Sequence, residues 1–94
     1  MSTKFQRSAV FQPEFRQDLA WWIKNDRKTA LRTMELVEAV VADPFAGIGK
    51  PEPLRFELAG CWSRRITQEH RLVYRVQGKG ADQEVAIARC RYHY

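Results

Sequence analysis

The chain has 94 residues, which supply enough interior for one hydrophobic core and not for two, so residues 1–94 are expected to form a single domain. Apolar side chains make up 45% of the sequence, which argues against a disordered chain, and the longest apolar run, residues 19–23, is far shorter than the roughly 20 residues of a membrane-spanning helix. The net charge of +5 favours a polyanionic partner, because a positive field attracts phosphate backbones. Charge does not distinguish RNA, DNA and an acidic protein.

Cysteine spacing and the amino-terminal sequence indicate the compartment. Cys61 and Cys90 are too few and too far apart for a zinc site or a disulfide framework, so both are interpreted as small core residues. Residues 1–10 are polar and lack the apolar centre of a signal peptide, so a cytoplasmic location is expected. Residues 1–6 show no periodicity and are expected to form a loose tail.

A short strand and two helices are predicted in the first half of the chain. Residues 7–11 suit the strand, and Pro13 suits the first turn of a helix, where its missing N–H is not needed. The apolar stripe of this helix falls at Phe15, Leu19, Trp22 and Ile23. Asp26 is predicted to cap a second, antiparallel helix that ends at Asp43-Pro44. Its inner stripe is predicted at Ala30, Met34, Val37 and Val41, widened by Leu36 and Val40.

Four more strands are predicted after the helices. Leu54, Phe56 and Leu58 alternate with charged residues, which is the period-two pattern of a strand with one buried face. Turns at residues 59–60, 68–70 and 78–80 separate this strand from three others at residues 62–67, 71–77 and 84–92. The predicted fold class is therefore α+β, with two antiparallel helices on one face of a twisted antiparallel sheet and the chain order β-α-α-β-β-β-β.

One face of the sheet is predicted to be open and cationic. In the last strand Val85, Ile87, Arg89, Arg91 and His93 alternate with the small residues Ala86, Ala88 and Cys90. Small residues suit packing against helices and arginines do not, so the arginine face is predicted to be open, with Arg71 and Arg75 beside it. Such a surface suits phosphate groups. The alternative is a cationic face that only keeps a small protein soluble.

Two side chains on this half of the chain could transfer protons. Glu52 lies between Pro51 and Pro53, which keep its backbone extended and stiff, and His93 is titratable near neutral pH. From the residues alone, Glu52 is also compatible with a solvated loop carboxylate, and a lone histidine near the chain end usually has no role. His70 and His93 lack the spacing to carboxylates of a metal-ligand set, so neither a metal nor another cofactor is expected.

The three tryptophans receive different interpretations. Trp22 lies in the apolar stripe of the first helix and is predicted to be core, whereas Trp21 points about 100° away from it and suits a rim or a partner interface. Trp62 is predicted to pack between two sheet layers, with stacking on a nucleic-acid base as the alternative.

Four runs of residues resemble the YoeB branch of the RelE/ParE toxin superfamily. They are Lys-Pro-Glu-Pro-Leu at residues 50–54, Trp-Ser-Arg-Arg-Ile-Thr at 62–67, Glu-His-Arg-Leu-Val-Tyr at 69–74 and Cys-Arg-Tyr-His-Tyr at 90–94. The resemblance extends over about residues 10–94. It implies a RelE-like microbial ribonuclease fold and the activity of this family, whose members are ribosome-dependent mRNA endonucleases of type II toxin–antitoxin systems.

The resemblance also implies roles for individual residues. Glu52 would be the general base, Arg71 the phosphate-binding arginine, His93 the general acid and Tyr94 a supporting side chain of a metal-independent reaction. The implied substrate-binding residues are Arg55, Arg65, Glu69 and Arg91. The implied partners are the ribosome with its mRNA, a YefM-like antitoxin and a second copy of the chain in a homodimer, or a hetero-oligomer with the antitoxin. No membrane is implied.

Two other functions fit a basic protein of this fold. A ParE-like relative would inhibit DNA gyrase without cutting RNA, and a non-catalytic module would only bind RNA. Neither alternative needs the acid and base residues. The sequence also departs from the family at Ile48, where a basic residue is common, and at Phe56, where a polar residue is expected.

Overall fold

The computed structural model describes residues 7–92, so the predicted tail at residues 1–6 and the terminal His93 and Tyr94 lie outside the described residues. The elements are β1 (Ser8–Phe11), α1 (Pro13–Asn25), α2 (Arg27–Ala42), β2 (Glu52–Pro53), β3 (Cys61–Arg65), β4 (Arg71–Gln77) and β5 (Glu84–Arg89). One sheet contains the strands in the order β1-β5-β4-β3-β2. Within residues 7–92, no helix is long and apolar enough to cross a bilayer.

The sheet is mixed, and this corrects the prediction of a wholly antiparallel sheet. Strands β2 to β5 pair in antiparallel fashion, as predicted, but β1 pairs with β5 in parallel, with Ser8 opposite Glu84 and Phe11 opposite Ile87. The pattern of a short strand shows which residues share a face and not which neighbour the strand joins, so the sequence did not reveal this pairing. The two predicted helices lie on one face of the sheet, which confirms the α+β arrangement.

The helix boundaries follow from the residues predicted to set them. Pro13 occupies the first turn of α1. Asp26 caps α2, since its carboxylate accepts hydrogen bonds from the Thr29 amide at 3.1 Å and from the Thr29 hydroxyl at 2.8 Å. These bonds lower the pKa of the Asp26 carboxyl. α2 ends at Ala42, immediately before Asp43-Pro44, because the residue before a proline is disfavoured in helical conformation.

The main core lies between the helices and the sheet. Its fully buried members are Phe15, Leu36, Val37, Val40, Leu72, Tyr74, Val85, Ile87 and Cys90. The predicted stripes were partly wrong, because Ile23 is 52% exposed and Met34 is only half-buried, whereas Leu36 and Val40 are completely buried. α1 turns Phe15 and Trp22 toward the sheet, which leaves Ile23 beside Leu31 in a shallow groove between the helices.

Both cysteines are buried free thiols, as predicted. Burial, with a smaller contribution from the charge of Asp18, raises the pKa of the Cys90 thiol to about 12. A thiol with such a pKa is neutral at physiological pH and is a poor nucleophile, so Cys90 is a structural residue.

A bulge in β5 corrects the predicted faces of the last strand. Ile87 pairs with Tyr74 and Arg89 pairs with Val73, so Ala88 is an extra residue without its own partner. Before the bulge, Val85 and Ile87 face the helices and are completely buried, contrary to the prediction that they share the open face. After it, Arg89 reaches the opposite, open face as predicted, because an inserted residue reverses the alternation.

The segment predicted as a strand around residues 54–58 is a turn. β2 contains only Glu52–Pro53, and a 3-10 helix follows at Phe56–Leu58. Leu54 and Leu58 nevertheless bury apolar surface, since they pack with Cys61 and Val73 in a second, smaller cluster on the open face of the sheet. The period-two spacing therefore marked two core residues correctly, but a tight turn rather than a strand brings them to the same cluster.

Phe56 is predicted to destabilise this turn, and replacing it by glycine should raise the free energy of unfolding by about 1 kcal/mol. Its φ of +58° lies in the left-handed region, and its side chain is 86% exposed, so the ring contributes little burial in return. The measurement is chemical denaturation of F56G beside F56A. Alanine removes the ring but keeps the Cβ, so F56A should lack the gain, and equal stability of the two variants would contradict the explanation.

Candidate active site

The loop that leads to Glu52 is held by a buried arginine, Arg64 of β3. Its side chain has no exposed surface, and its guanidinium donates to the carbonyls of Ile48 at 3.0 Å, of Ala46 at 3.0 Å and of Asp43. Its Nε donates to the Tyr74 hydroxyl at 3.2 Å, which in turn donates to the Pro44 carbonyl at 2.6 Å. These contacts fix residues 43–48 against the sheet. We call this set of contacts the Arg64 clamp.

Tyr74 is the aromatic part of the Arg64 clamp. Burial raises the pKa of its hydroxyl, and the hydrogen bond from Arg64 offsets part of that rise. The hydroxyl therefore stays protonated at physiological pH and can donate to the Pro44 carbonyl.

Gly49 brings the loop close to the sheet. Its φ is +85°, and a Cβ there would lie 2.8 Å from Leu36 Cδ2 and 3.1 Å from Arg64 Cβ, so only glycine fits without displacement. The Gly49 carbonyl accepts a hydrogen bond from the Arg65 amide at 2.6 Å. Backbone hydrogen bonding between the loop and β3 therefore begins three residues before Glu52.

Glu52 is fixed on both sides by backbone pairing. It lies opposite Ser63 of β3, and after it the Leu54 amide donates to the Cys61 carbonyl at 2.9 Å. The side chain of Glu52 is exposed. A carboxylate on a short paired strand between two prolines is held in place while its oxygens stay open to solvent, and this arrangement suits a base better than a mobile loop residue would.

Arg65 and Arg71 lie on the same sheet face as Glu52. Glu52 is opposite Ser63, Arg65 follows Ser63 by two residues, and Arg65 pairs with Arg71. With sheet spacings of roughly 4.8 Å across strands and 3.3 Å along them, the Cα atoms of Glu52 and Arg71 are about 12 Å apart. The long arginine side chain and the glutamate can approach a group of phosphate size between them.

The guanidinium of Arg71 is oriented by the turn that precedes β4. Its Nη1 donates to the carbonyls of Thr67 at 2.9 Å, His70 at 3.1 Å and Gln68 at 3.2 Å. Among residues 7–92, Nε and Nη2 have no hydrogen-bond partner, so one edge of the guanidinium is anchored and the other is available. Glu69 lies in the same turn and is exposed.

Arg55 and Glu52 line one open groove with a volume of about 600 Å³, formed by residues 52–58. Arg89, opposite Val73 of β4, adds another exposed cation to the sheet face. Within the described chain, none of Arg55, Arg65, Arg71 and Arg89 forms an ion pair with a carboxylate. The face thus carries several cations available to an anionic ligand beside the carboxylate of Glu52, and Arg71 and Arg89 lie on it as the sequence predicted.

Arg91 lies apart from this face. Its guanidinium carbon is 3.8 Å from the centre of the Trp21 ring on α1, and its Nη2 donates to the Tyr92 hydroxyl at 2.9 Å. The predicted location beside Arg89 was therefore wrong, because the chain leaves the sheet after Arg89 and turns toward α1. Trp21 is 39% exposed, in agreement with its predicted position at a rim. Trp62 is a packing residue, as predicted, but it packs with the main core and Phe45 and not between two sheet layers, because the described strands form one sheet.

The end of the described chain runs beside Arg71. The Arg71 amide donates to the Tyr92 carbonyl at 3.2 Å, so the last described residue lies next to the arginine that the sequence singled out. His93 and Tyr94 themselves lie outside the described residues, and their roles stay predictions.

Sequence reasoning missed two residues that organise the site. Arg64 was read only as part of a motif, although its alternation with Ser63 and Arg65 places it on the helix side of β3, where an arginine must find internal acceptors. His70 was considered only as a metal ligand and dismissed. Its Nδ1 accepts a hydrogen bond from the Tyr92 amide at 2.6 Å, a contact between distant parts of the chain that no local pattern signals.

The layer order and the cationic face define a RelE-like toxin fold. A chain of the toxin–antitoxin complex RelBE2 from Mycobacterium tuberculosis superposes with a TM-score of 0.72 at 24% identity, over 99% of this chain and 98% of that one. The "YoeB/ParE toxin from Agrobacterium tumefaciens" superposes with a TM-score of 0.85 at 42% identity, over 93% of this chain and 99% of that chain.

The sequence comparisons define the family more narrowly. The profile of the "YoeB-like toxin of bacterial type II toxin-antitoxin system" matches residues 11–94, and Toxin YoeB from Mycobacterium bovis is 52% identical over 88 residues, 94% of this chain and 99% of that protein. The chain belongs to the YoeB-like toxins of bacterial type II toxin–antitoxin systems.

Two structures from Staphylococcus aureus show related toxins in assemblies. A YoeB dimer superposes with a TM-score of 0.80 at 39% identity, and the toxin of a YoeB-YefM complex superposes with a TM-score of 0.78 at 37% identity. Each match covers 94% of this chain and 98% of the other.

Proposed function

We propose that this chain is a ribosome-dependent mRNA endoribonuclease that cuts mRNA in the ribosomal A site and thereby inhibits translation. The observation that carries the proposal is the position of Glu52 on the same open sheet face as Arg65 and Arg71, with Tyr92, the last described residue, beside Arg71. A carboxylate and unpaired cations on one face suit a reaction in which a base approaches a phosphate from one side.

The reaction is an attack of the ribose 2′-oxygen on the adjacent phosphorus. Glu52 takes the proton of the 2′-hydroxyl, the new O–P bond forms, and the bond from phosphorus to the 5′-oxygen breaks. Arg71 balances the charge that develops on the phosphate, and His93 gives a proton to the departing 5′-oxygen. The products are a 2′,3′-cyclic phosphate and a 5′-hydroxyl. The side chains supply both proton transfers, so the step needs no metal ion.

The remaining residues bind rather than transfer protons. Arg55 in the groove and Arg65 beside Arg71 contact the RNA backbone, Glu69 lies in the turn that orients Arg71, and Tyr94 supports the terminal acid. Arg91 lies on a different surface, stacked on Trp21, so a role in binding the RNA at the cleavage site is not supported by its position.

The proposed partners are the ribosome with its mRNA, a YefM-like antitoxin and a second copy of the chain. The S. aureus complexes support the last two, since related chains of the same fold pair with YefM and with each other. Because the proposed substrate is mRNA on the ribosome, the proposed site of activity is the cytoplasm. The antitoxin would keep the toxin inactive by covering the cationic face, which an acidic segment complements.

Primer extension on a defined mRNA tests the proposal. The purified chain is incubated with the mRNA, with and without programmed ribosomes, beside H93A. Cuts at A-site codons that require ribosomes and are absent with H93A are expected, and the new ends should carry a cyclic phosphate and a 5′-hydroxyl. Ends bearing a 5′-phosphate would contradict the acid–base mechanism. Intact mRNA, together with inhibition of gyrase supercoiling, would favour the ParE-like function instead.

A further inference from the structure

His70 joins the β3–β4 turn to the end of the chain. Its Nδ1 accepts a hydrogen bond from the Tyr92 amide at 2.6 Å, and its ring lies edge-on to Trp22 of α1 with centroids 4.7 Å apart. The ring of Tyr92 is 5.2 Å away on another side. The half-buried imidazole therefore occupies the junction of α1, the turn and the terminal segment. Because Nδ1 accepts the hydrogen bond, the proton of the neutral ring is on Nε2.

The neighbouring backbone groups of the terminal segment are also bound. The Cys90 amide donates to Asp18 Oδ2 at 3.0 Å, and the Cys90 carbonyl accepts from Trp22 Nε1 at 2.8 Å. The Tyr92 carbonyl accepts from the Arg71 amide at 3.2 Å. The Tyr92 amide, bound by His70, completes this set.

Tyr92 needs such support because its backbone is strained. Its φ is +64°, in the left-handed region that costs a non-glycine residue on the order of 1–3 kcal/mol and persists only where surrounding contacts hold it. The side chain of Tyr92 is 55% exposed, so burial of its ring supplies little of that support. The hydrogen bonds to its amide and carbonyl hold its backbone directly, whereas Arg91 contacts only the end of its side chain.

We propose that His70 is a positioning residue of the nuclease: it fixes the backbone of Tyr92 beside Arg71, and Tyr92 is the residue that precedes the proposed acid, His93, in the chain. The proposal rests on the proposed function. His70 adjoins Arg71 in sequence. The same turn therefore binds both the proposed phosphate-binding arginine and the segment that precedes the proposed acid. Loss of the acceptor frees the Tyr92 amide, the strained turn relaxes, and the acid moves relative to Arg71.

Two substitutions test separately the hydrogen-bond acceptor of His70 and its aromatic ring. H70F keeps an aromatic ring against Trp22 but loses the acceptor, whereas H70N places a carbonyl oxygen where Nδ1 was. We expect H70F to lower kcat for cleavage on programmed ribosomes by roughly 10²-fold with little change in KM, since a misplacement of about 1 Å has such a cost. H70N should recover most of the rate. Q17A, an exposed change on α1, is the control and should behave as wild type.

The same substitution in the H93A variant distinguishes a positioning role of His70 from a general loss of structure. In the H93A chain, H70F should cause no further loss of rate, because there is no acid left to misplace. A further drop there, or equal losses in H70F and H70N, would overturn the proposal.

Amide hydrogen exchange tests the hydrogen bond between His70 and the Tyr92 amide, here called the anchor, independently of the enzyme activity. Hydrogen exchange followed by NMR should show the Tyr92 amide exchanging at least about tenfold faster in H70F than in wild type or H70N, with the amides of β4 unchanged. In the wild-type chain, the nitrogen shift of Nδ1 should be that of an unprotonated acceptor, a measurement that needs no variant to fold. If the wild type fails to cut mRNA but the Tyr92 amide is protected through His70, the proposed function fails and the anchor stands. An unprotected amide or a protonated Nδ1 in wild type overturns the anchor.

Discussion

Replacing Glu52 by glutamine should lower kcat for mRNA cleavage on programmed ribosomes by roughly 10²- to 10⁴-fold, the usual contribution of a positioned general base. Glutamine keeps the size of the side chain and its place opposite Ser63, but its amide cannot take the proton of the 2′-hydroxyl. Pro51 and Pro53 hold the backbone of either residue, so the fold and the affinity for the ribosome should change little. Single-turnover cleavage with saturating enzyme measures the chemical step directly.

Glu57 provides a matched control for this variant. It is an exposed carboxylate that lines the same groove, so E57Q removes the same charge from nearly the same place. Cleavage by E57Q should stay within a few-fold of wild type. Equal losses in both variants would show that the charge of the groove and not proton transfer limits the rate, and full activity of E52Q would remove Glu52 from the mechanism.

The helices and the order of the elements were predictable because their signals are local. Pro13 and Asp26 mark helix starts, Asp43-Pro44 marks a stop, and the strand Arg71–Gln77 alternates cleanly between its faces. These features depend on the conformational preferences of single residues or on a simple period. The parallel pairing of β1 with β5 joins segments more than seventy residues apart and has no such local signal.

The errors arose where one pattern fits two structures. Leu54 and Leu58 reach the small cluster through a 3-10 turn, although their spacing also fits a strand. The bulge at Ala88 reverses the alternation of β5, so the residues before and after it could not be assigned to faces by counting. A bulge is decided by the pairing of two strands, and the sequence of one strand does not contain it.

The candidate site was predictable in its exposed part and not in its support. Glu52 stood out because two prolines flank it and Arg71 because its motif resembles the YoeB branch, and the register brings both to one face, although their roles stay predictions. Arg64 and His70 were not recognised, because arginine is normally an exposed residue and a half-buried histidine has many roles. Their partners are backbone groups distant in sequence, which composition and spacing do not reveal.

Replacing Arg64 by methionine should lower the free energy of unfolding by at least about 3 kcal/mol, since each buried acceptor left without a donor costs roughly 1–3 kcal/mol. The Arg64 clamp satisfies three loop carbonyls and the Tyr74 hydroxyl from one buried side chain. Methionine fills similar volume but donates nothing. Lysine keeps the charge but lacks the planar fork, so R64K should fall between methionine and wild type. Thermal and urea denaturation measure the loss.

Arg65 is the matched control for the Arg64 clamp, because the next residue of the same strand carries the same side chain on the opposite, exposed face. R65M should change the free energy of unfolding by less than about 0.5 kcal/mol, as exposed substitutions usually do, while weakening cleavage by removing a cation beside Arg71. R64M should instead lower the free energy of unfolding. Its cleavage activity should fall as a consequence, because the loop that leads to Glu52 is released. Equal stability of R64M and R65M would mean that residues 43–48 are held by packing and not by the buried guanidinium.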